Sequence, residues 1–187
     1  MDRRQAARVS QRALGLLQQL WPGVEDYPEA RFLVLAARLH EIGISVAHSS
    51  YHKHSAYILA NADMPGFSKM DQERLSRIVL VHRGKLERVQ PLLRDQRDWV
   101  LIFCLRLAAL LHRARDDAPL PEVQVTADPR GFQLTVDALW LAASPLTAAA
   151  LAEEGRQWAN LGMEFKLSLR GQSVAGRRTA VLRDFQE

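Results

Sequence analysis

The chain has 187 residues and a formal charge of +4, with 48% hydrophobic and 25% charged residues. This is an average globular composition and argues against wholesale disorder. A single cysteine, Cys104, excludes an internal disulfide framework and a multi-cysteine zinc site. It lies in the apolar stretch 99–111 and reads as a buried small hydrophobe. No apolar run reaches the roughly 18 residues needed to cross a bilayer. Met1-Asp2-Arg3-Arg4 leads into polar sequence rather than an apolar signal core, so the expected location is the cytoplasm. Residues 1–118 carry 18 Lys and Arg against 13 Asp and Glu, whereas residues 119–187 carry 7 against 8. A polyanionic partner is allowed but not demanded by that imbalance; a solvated helical surface is the plainer reading.

Ala6, Val9, Ala13, Leu16, Leu17 and Leu20 recur at three- and four-residue steps, one face of a helix. Trp21-Pro22-Gly23 ends it. Phe32, Leu35, Ala36, Leu39 and Ile42 form a second stripe, stopped by Gly43. A polar, histidine-rich segment over 45–54 leads into a short third helix around 56–60. Asp63-Met64-Pro65-Gly66-Phe67 is a turn, and Ser68 has the place of an N-cap before a helix carrying Leu75, Ile78 and Val79. Pro91 separates this from the most apolar helix, about 95–113, which includes Trp99, Phe103 and Leu107 and is expected at the centre of the packing.

The pattern changes at Asp116-Asp117-Ala118-Pro119-Leu120-Pro121, which reads as a linker. Beyond it Val123 and Val125 alternate with polar residues, Asp128-Pro129-Arg130-Gly131 is a turn, and Phe132, Leu134 and Val136 alternate again, a β-hairpin signal. Ser144-Pro145 starts a helix with Leu146, Ala150, Leu151 and Trp158. Phe165, Leu167 and Leu169 then mark a half-buried strand. Trp140 and Trp158 are expected in the core of this small unit or in a subunit contact. Residues 171–187 show no sustained period and read as a mobile tail.

Four of the six histidines fall between 40 and 54. His40-Glu41, closing an apolar helix before Gly43, resembles the HD superfamily of metal-dependent phosphohydrolases, in which a helical bundle holds a divalent metal with an early His, a His-Asp pair and a late Asp. By helix context these positions fall at Gln5, at His40-Glu41 and at Ala109. Ala109 has no donor atom and Gln5 is a poor substitute for imidazole, so the metal site reads as degenerate and no metal or catalytic residue is expected in this chain.

The runs Leu39-His40-Glu41-Ile42-Gly43, His48-Ser49-Ser50-Tyr51-His52-Lys53-His54-Ser55, Asp63-Met64-Pro65-Gly66-Phe67 and His82-Arg83 are similar to the C-terminal half of a bacterial exopolyphosphatase, of the exopolyphosphatase / guanosine pentaphosphate phosphatase family. The histidine run favours the exopolyphosphatase branch. The resemblance covers about residues 1–170 and implies a mainly α fold: an HD-like helical bundle over 1–118, then a small β-β-α-β mixed domain over 119–170. It also implies a missing N-terminal half, a pair of actin-like catalytic domains with magnesium, since this chain has no Gly-rich phosphate loop. The expected role is polyphosphate binding and homodimerisation on behalf of that half, with neither nucleic acid nor membrane as partner. An autonomous HD-type phosphohydrolase and a purely structural interaction domain are the alternatives.

The histidine-basic segment has three readings. Tyr51 and Tyr57 are core anchors and the histidines cap helices; or His48, His52 and His54 take part in a zinc site; or His48, Ser49, His52, Lys53, His54, His82 and Arg83 line an accessible groove for phosphate groups. In the last case binding strengthens as pH falls through about 6.5, where an unperturbed histidine gains charge. Arg113 and Arg115 end the central helix and favour its negative pole.

Overall fold

The structure is a computed structural model that describes residues 2–93, 95–171 and 180–181. The chain divides into two compact units, Met1–Arg115 and Asp116–Glu187, a division that falls immediately before the Asp116–Pro121 run.

The first unit is helical. Helix α1 (Arg3–Leu20) starts because the Asp2 carboxylate accepts from the Arg4 and Gln5 amides at 3.0 Å each, satisfying donors that have no partner inside the helix. It buries Val9, Ala13, Leu16 and Leu17 against α2 (Pro28–Leu39) and α5 (Gln96–Leu111). Proline opens α2, where its missing amide hydrogen costs nothing. Helix α3 (Tyr51–Asn61) packs on α4 (Lys69–Leu80). Ser68 caps α4 in a reciprocal box with Asp71, as its position predicts. Helix α5 is apolar almost all round: Leu101, Ile102, Phe103, Cys104, Leu105, Leu107 and Ala108 are all buried. Burial pushes the Cys104 thiol far above its ordinary value, so this side chain is inert packing.

Helix α3 begins earlier than the sequence predicts. Its first turn, Tyr51–His54, carries no apolar period, because the side chains it buries are polar, His52 and then Ser55. Ser50 takes a left-handed conformation (φ 54°) just ahead of it. Tyr57, expected as a core anchor, is 71% exposed, and Tyr51 is only half-buried.

The second unit is a mixed sheet with helices. Strand β1 (Gln124–Asp128) pairs antiparallel with β2 (Gly131–Asp137), and β2 pairs parallel with β3 (Glu164–Arg170), Leu134 opposite Leu167. The crossover is made by α6 (Ala138–Ala142) and α7 (Pro145–Ala159), as a parallel pair requires. Trp158 is fully buried, its ring edge-to-face on Phe132 at 5.1 Å and its indole N–H donating to Glu154 at 2.8 Å. Trp140 is half-buried. The helix α6, capped by Asp137, is too short to have shown a period. Ala180–Val181 form a two-residue strand, β4, antiparallel to β3; apart from these two residues and Gly171, the expected tail lies outside the described residues. The mainly α bundle followed by a β-β-α-β unit is therefore the observed fold class.

One glycine holds the first unit's geometry. A Cβ on Gly43 would collide with the Tyr51 carbonyl and the Ser55 amide nitrogen of α3. Gly15, in α1, faces open space. Gly43→Ala should therefore lower unfolding free energy by about 2–3 kcal/mol, as overpacking against backbone does, whereas Gly15→Ala should raise it by about 0.5–1 kcal/mol. Urea midpoints of the two variants, moving in opposite directions, check the assignment.

Candidate functional site

The chain leaves α2 at His40, runs through a 3₁₀ turn (Ile42–Ser45) and enters α3 at Tyr51. Ser55 fastens the two segments: its hydroxyl donates to the His40 carbonyl at 2.8 Å and accepts from the Gly43 amide at 2.9 Å. This brings His40 beside the residues that end α4. His40 and His82 meet edge-to-face with ring centroids 4.9 Å apart, and His52 lies 6.3 Å from His82. All three histidines are buried.

Hydrogen bonds fix their tautomers. Nδ1 of His40 donates to the Ala37 carbonyl at 2.6 Å, and Nδ1 of His82 donates to the Val79 carbonyl at 2.7 Å. A carbonyl can only accept, so in both rings Nδ1 holds the proton and Nε2 is the acceptor. The Tyr51 hydroxyl lies 3.4 Å from Nε2 of His82. A guanidinium can only donate, so Arg88, at 3.2 Å, makes Nε2 of His52 an acceptor. His52 Nδ1 then carries a hydrogen, is buried, and among the described residues has no hydrogen-bond partner.

Burial holds all three histidines below their ordinary pKa, because it disfavours the charged ring. For His52 the value falls to about 4, first from desolvation and then from the nearby positive charges of Arg83, Arg88, Lys53 and His54. His40 and His52 lower His82 further. The core of the site is thus neutral imidazole under a basic cover.

Of the expected phosphate-groove residues, His52, His82 and Arg83 come together. Arg83 is exposed and lies over the Tyr51 ring at 5.0 Å. Lys53 is exposed and His54 half-buried, both close enough to act on His52. His48 and Ser49 are exposed ahead of α3, and among the described residues no hydrogen bond or ring contact ties them to the cluster. The expectation of one accessible face fails for His82 and His52, which are buried because their rings fill space between α3 and the end of α4. Nor do these two supply charge near pH 6.5, since both remain neutral there. Arg88 was not legible in the sequence: it ends a one-turn 3₁₀ segment, Leu86–Arg88, with no period around it. Arg106, buried in apolar α5, was also missed. It donates to the Val81 and Gly84 carbonyls at 2.6 and 3.0 Å and holds the chain segment that carries His82 and Arg83.

The HD-type positions do not fit a divalent metal. Gln5 uses both ends of its amide, donating to the His112 carbonyl at 2.8 Å and accepting from Arg8 at 3.0 Å. Glu41, buried, is paired with Arg115. Nε2 of His40 stands 3.7 Å from Glu41, and Ala109 offers no donor. Among the described residues no group of three or more His, Cys, Asp and Glu is placed to hold a metal ion, which leaves His48, His52 and His54 without a zinc-like arrangement. Among those residues, too, no helix is long and apolar enough to cross a membrane.

A family profile described as Ppx/GppA phosphatase, domain III, matches residues 1–155. Three curated relatives carry the name guanosine-5′-triphosphate,3′-diphosphate pyrophosphatase. That of Pseudoalteromonas translucida (strain TAC 125) is 33% identical over 172 residues, 87% of this chain and 34% of the relative. That of Vibrio atlanticus (strain LGP32) is 34% identical over 168 residues, 87% of this chain and 33% of the relative. That of Vibrio cholerae serotype O1 (strain ATCC 39541 / Classical Ogawa 395 / O395) is 35% identical over 138 residues, 72% of this chain and 28% of the relative. The chain spans about a third of the length of these relatives.

The buried histidines set a pH dependence. Their folded pKa values lie below the unfolded value of about 6.5, so the unfolded chain binds more protons and stability is full above pH 6.5. It should be lost as pH falls from 6.5 toward 4, with a limiting slope of about 1.4 kcal/mol per pH unit for each neutral buried histidine. Urea titrations at successive pH values measure the slope, and His52→Gln should make it shallower.

Proposed function

We propose, from the premise that this chain belongs to the Ppx/GppA phosphatase family and corresponds to part of its C-terminal region, that the helical unit holds a phosphate chain for a catalytic half elsewhere in the protein. The observation that carries this reading is the convergence of Lys53, Arg83 and Arg88 on His52. Among the described residues none of the three cations is paired with a carboxylate, and His52 Nδ1–H is a buried donor without a partner. Unpaired cations beside an unused donor suit an oligoanion: guanidinium groups bind phosphate oxygens two at a time, and lysine adds a mobile point charge. Many weak contacts of this kind hold a long polymer while letting it advance, which favours inorganic polyphosphate. The names of the relatives favour a second ligand with the same chemistry, a guanosine carrying five phosphates in two groups.

In this reading magnesium and the reacting groups belong to the actin-like half, and the residues described here position the substrate. The second unit supplies a dimer contact. Its exposed Leu139 and Leu146, with half-buried Trp140, give the apolar surface that an interface of at least about 1,000 Å² needs.

Binding of fluorescently labelled long-chain polyphosphate at low salt tests the site. Lys53→Ala with Arg83→Ala should weaken it about tenfold, at roughly 0.7 kcal/mol per lost charge, with little change in melting temperature, and added salt should weaken the wild-type protein's binding. Bound polyphosphate should raise His52 from about 4 toward its ordinary value, visible in ring NMR shifts. Equal affinity in the wild type and the double variant would place the anion elsewhere. Competition by guanosine pentaphosphate separates the two ligands. Light scattering over a range of concentrations should show a species twice the 21.1 kDa monomer; a monomer throughout would remove the dimer contact.

A further inference from the structure

Glu41 is a buried carboxylate at the position where the HD fold would put a metal ligand, and its side chain is only 6% exposed against 40% for Arg115. A carboxylate so placed needs a cation, because an unpaired buried charge is costly. The groups that converge on it leave one candidate. Arg115 pairs with Glu41 and lies 3.7 Å from Asp2. Arg8 donates to the Arg115 carbonyl at 3.1 Å and to Gln5 at 3.0 Å, and Gln5 donates to the His112 carbonyl. The other neighbour, His40, spends its Nδ1 hydrogen on the Ala37 carbonyl and leaves Nε2 3.7 Å from Glu41, beyond a hydrogen bond.

Arg115 itself has φ +59°, a conformation that a side chain with a Cβ rarely adopts. It is the last residue of the helical unit. Its amide donates to the His112 carbonyl at 3.1 Å just past the end of α5, its guanidinium pairs with Glu41, and these polar contacts offset the strain of the left-handed conformation.

We infer that the Arg115 guanidinium is the resident cation of the degenerate metal seat, and that by occupying it Arg115 fastens the outgoing linker to the helical unit. A fixed organic cation here does two things that a metal ion would do, neutralising Glu41 and cross-linking the ends of α1, α2 and α5. It offers no open coordination position and so activates no water. The seat has become a structural joint within the helical unit, made by that unit's last residue.

The test uses the whole chain. Added Mn²⁺ or Zn²⁺, and EDTA, should leave the wild-type melting temperature unchanged. Arg115→Lys, which keeps the charge, should melt close to wild type. Arg115→Met, with the same backbone demand and no charge, should melt roughly 4–8 °C lower, and Glu41→Gln in that background should restore part of the loss. Hydrogen exchange at residues 116–118 should quicken in Arg115→Met and not in Arg115→Lys. A wild-type melting temperature that rises with Mn²⁺ or Zn²⁺ and loses that rise in Glu41→Gln would make the seat a metal site and overturn the proposal. An Arg115→Met protein that melts as the wild type would do the same.

Discussion

The whole candidate site depends on how closely two backbones approach at Gly43. The turn after α2 lies so near the first turn of α3 that a hydrogen atom is the largest group the position admits. The Ser55 hydroxyl then bridges the His40 carbonyl and the Gly43 amide. With α2 and α3 joined there, His40, Tyr51 and His52 are held at the end of α4, where His82 stands. The imidazoles are therefore packed by main-chain geometry rather than by attraction for one another. Two of them protonated together would repel one another, and burial holds them in the neutral form.

The resulting electrostatics are layered. Inside are neutral rings whose polar atoms are assigned almost one by one to carbonyls, a hydroxyl and a guanidinium. Outside are Lys53, Arg83 and Arg88, whose common field falls on His52. Beside His40 the Glu41 carboxylate is paired with Arg115, which also lies near Asp2, and Arg8 donates to the Gln5 amide oxygen. Histidines usually suggest proton transfer or metal binding; here the unpaired positive charge lies on neighbouring side chains, and the histidines shape the surface that carries it.

Much of this was legible in the chain. The stripes of α1, α2 and α5, the Ser68 cap, the Asp128-Pro129-Arg130-Gly131 turn and the Ser144-Pro145 helix start all follow from local rules, and local rules held because apolar period and packing agree at those places. The start of α3 did not follow, because its first turn buries His52 and Ser55 instead of apolar groups and so shows no stripe. His40-Glu41 and His82-Arg83 were recognisable as pieces of a site, yet only the fold could say that His82 is inside and Arg83 outside. Arg88 and Arg106 had no signal, and Arg115, read only as a helix-end cation, gave no hint of its pairing with Glu41. Each is distant in sequence from its partner and works through an imidazole, carbonyls or a carboxylate supplied by another element, a relation that spacing along the chain does not encode.

The parallel pairing of β2 with β3 has a further consequence for how the chain acquires its structure. The hairpin β1–β2 closes over a two-residue turn, but β3 cannot join β2 until residues 138–163 have formed α6 and α7 and folded back. The chain must therefore lose the entropy of that long closure before the central strand pair gains its hydrogen bonds. The helical unit draws mostly on neighbours along the chain, α1 with α2 and α3 with α4, and contacts of that sort form fast. Synthesis from the N-terminus delivers the quick unit first, so the slower sheet assembles behind helices that have already found their places.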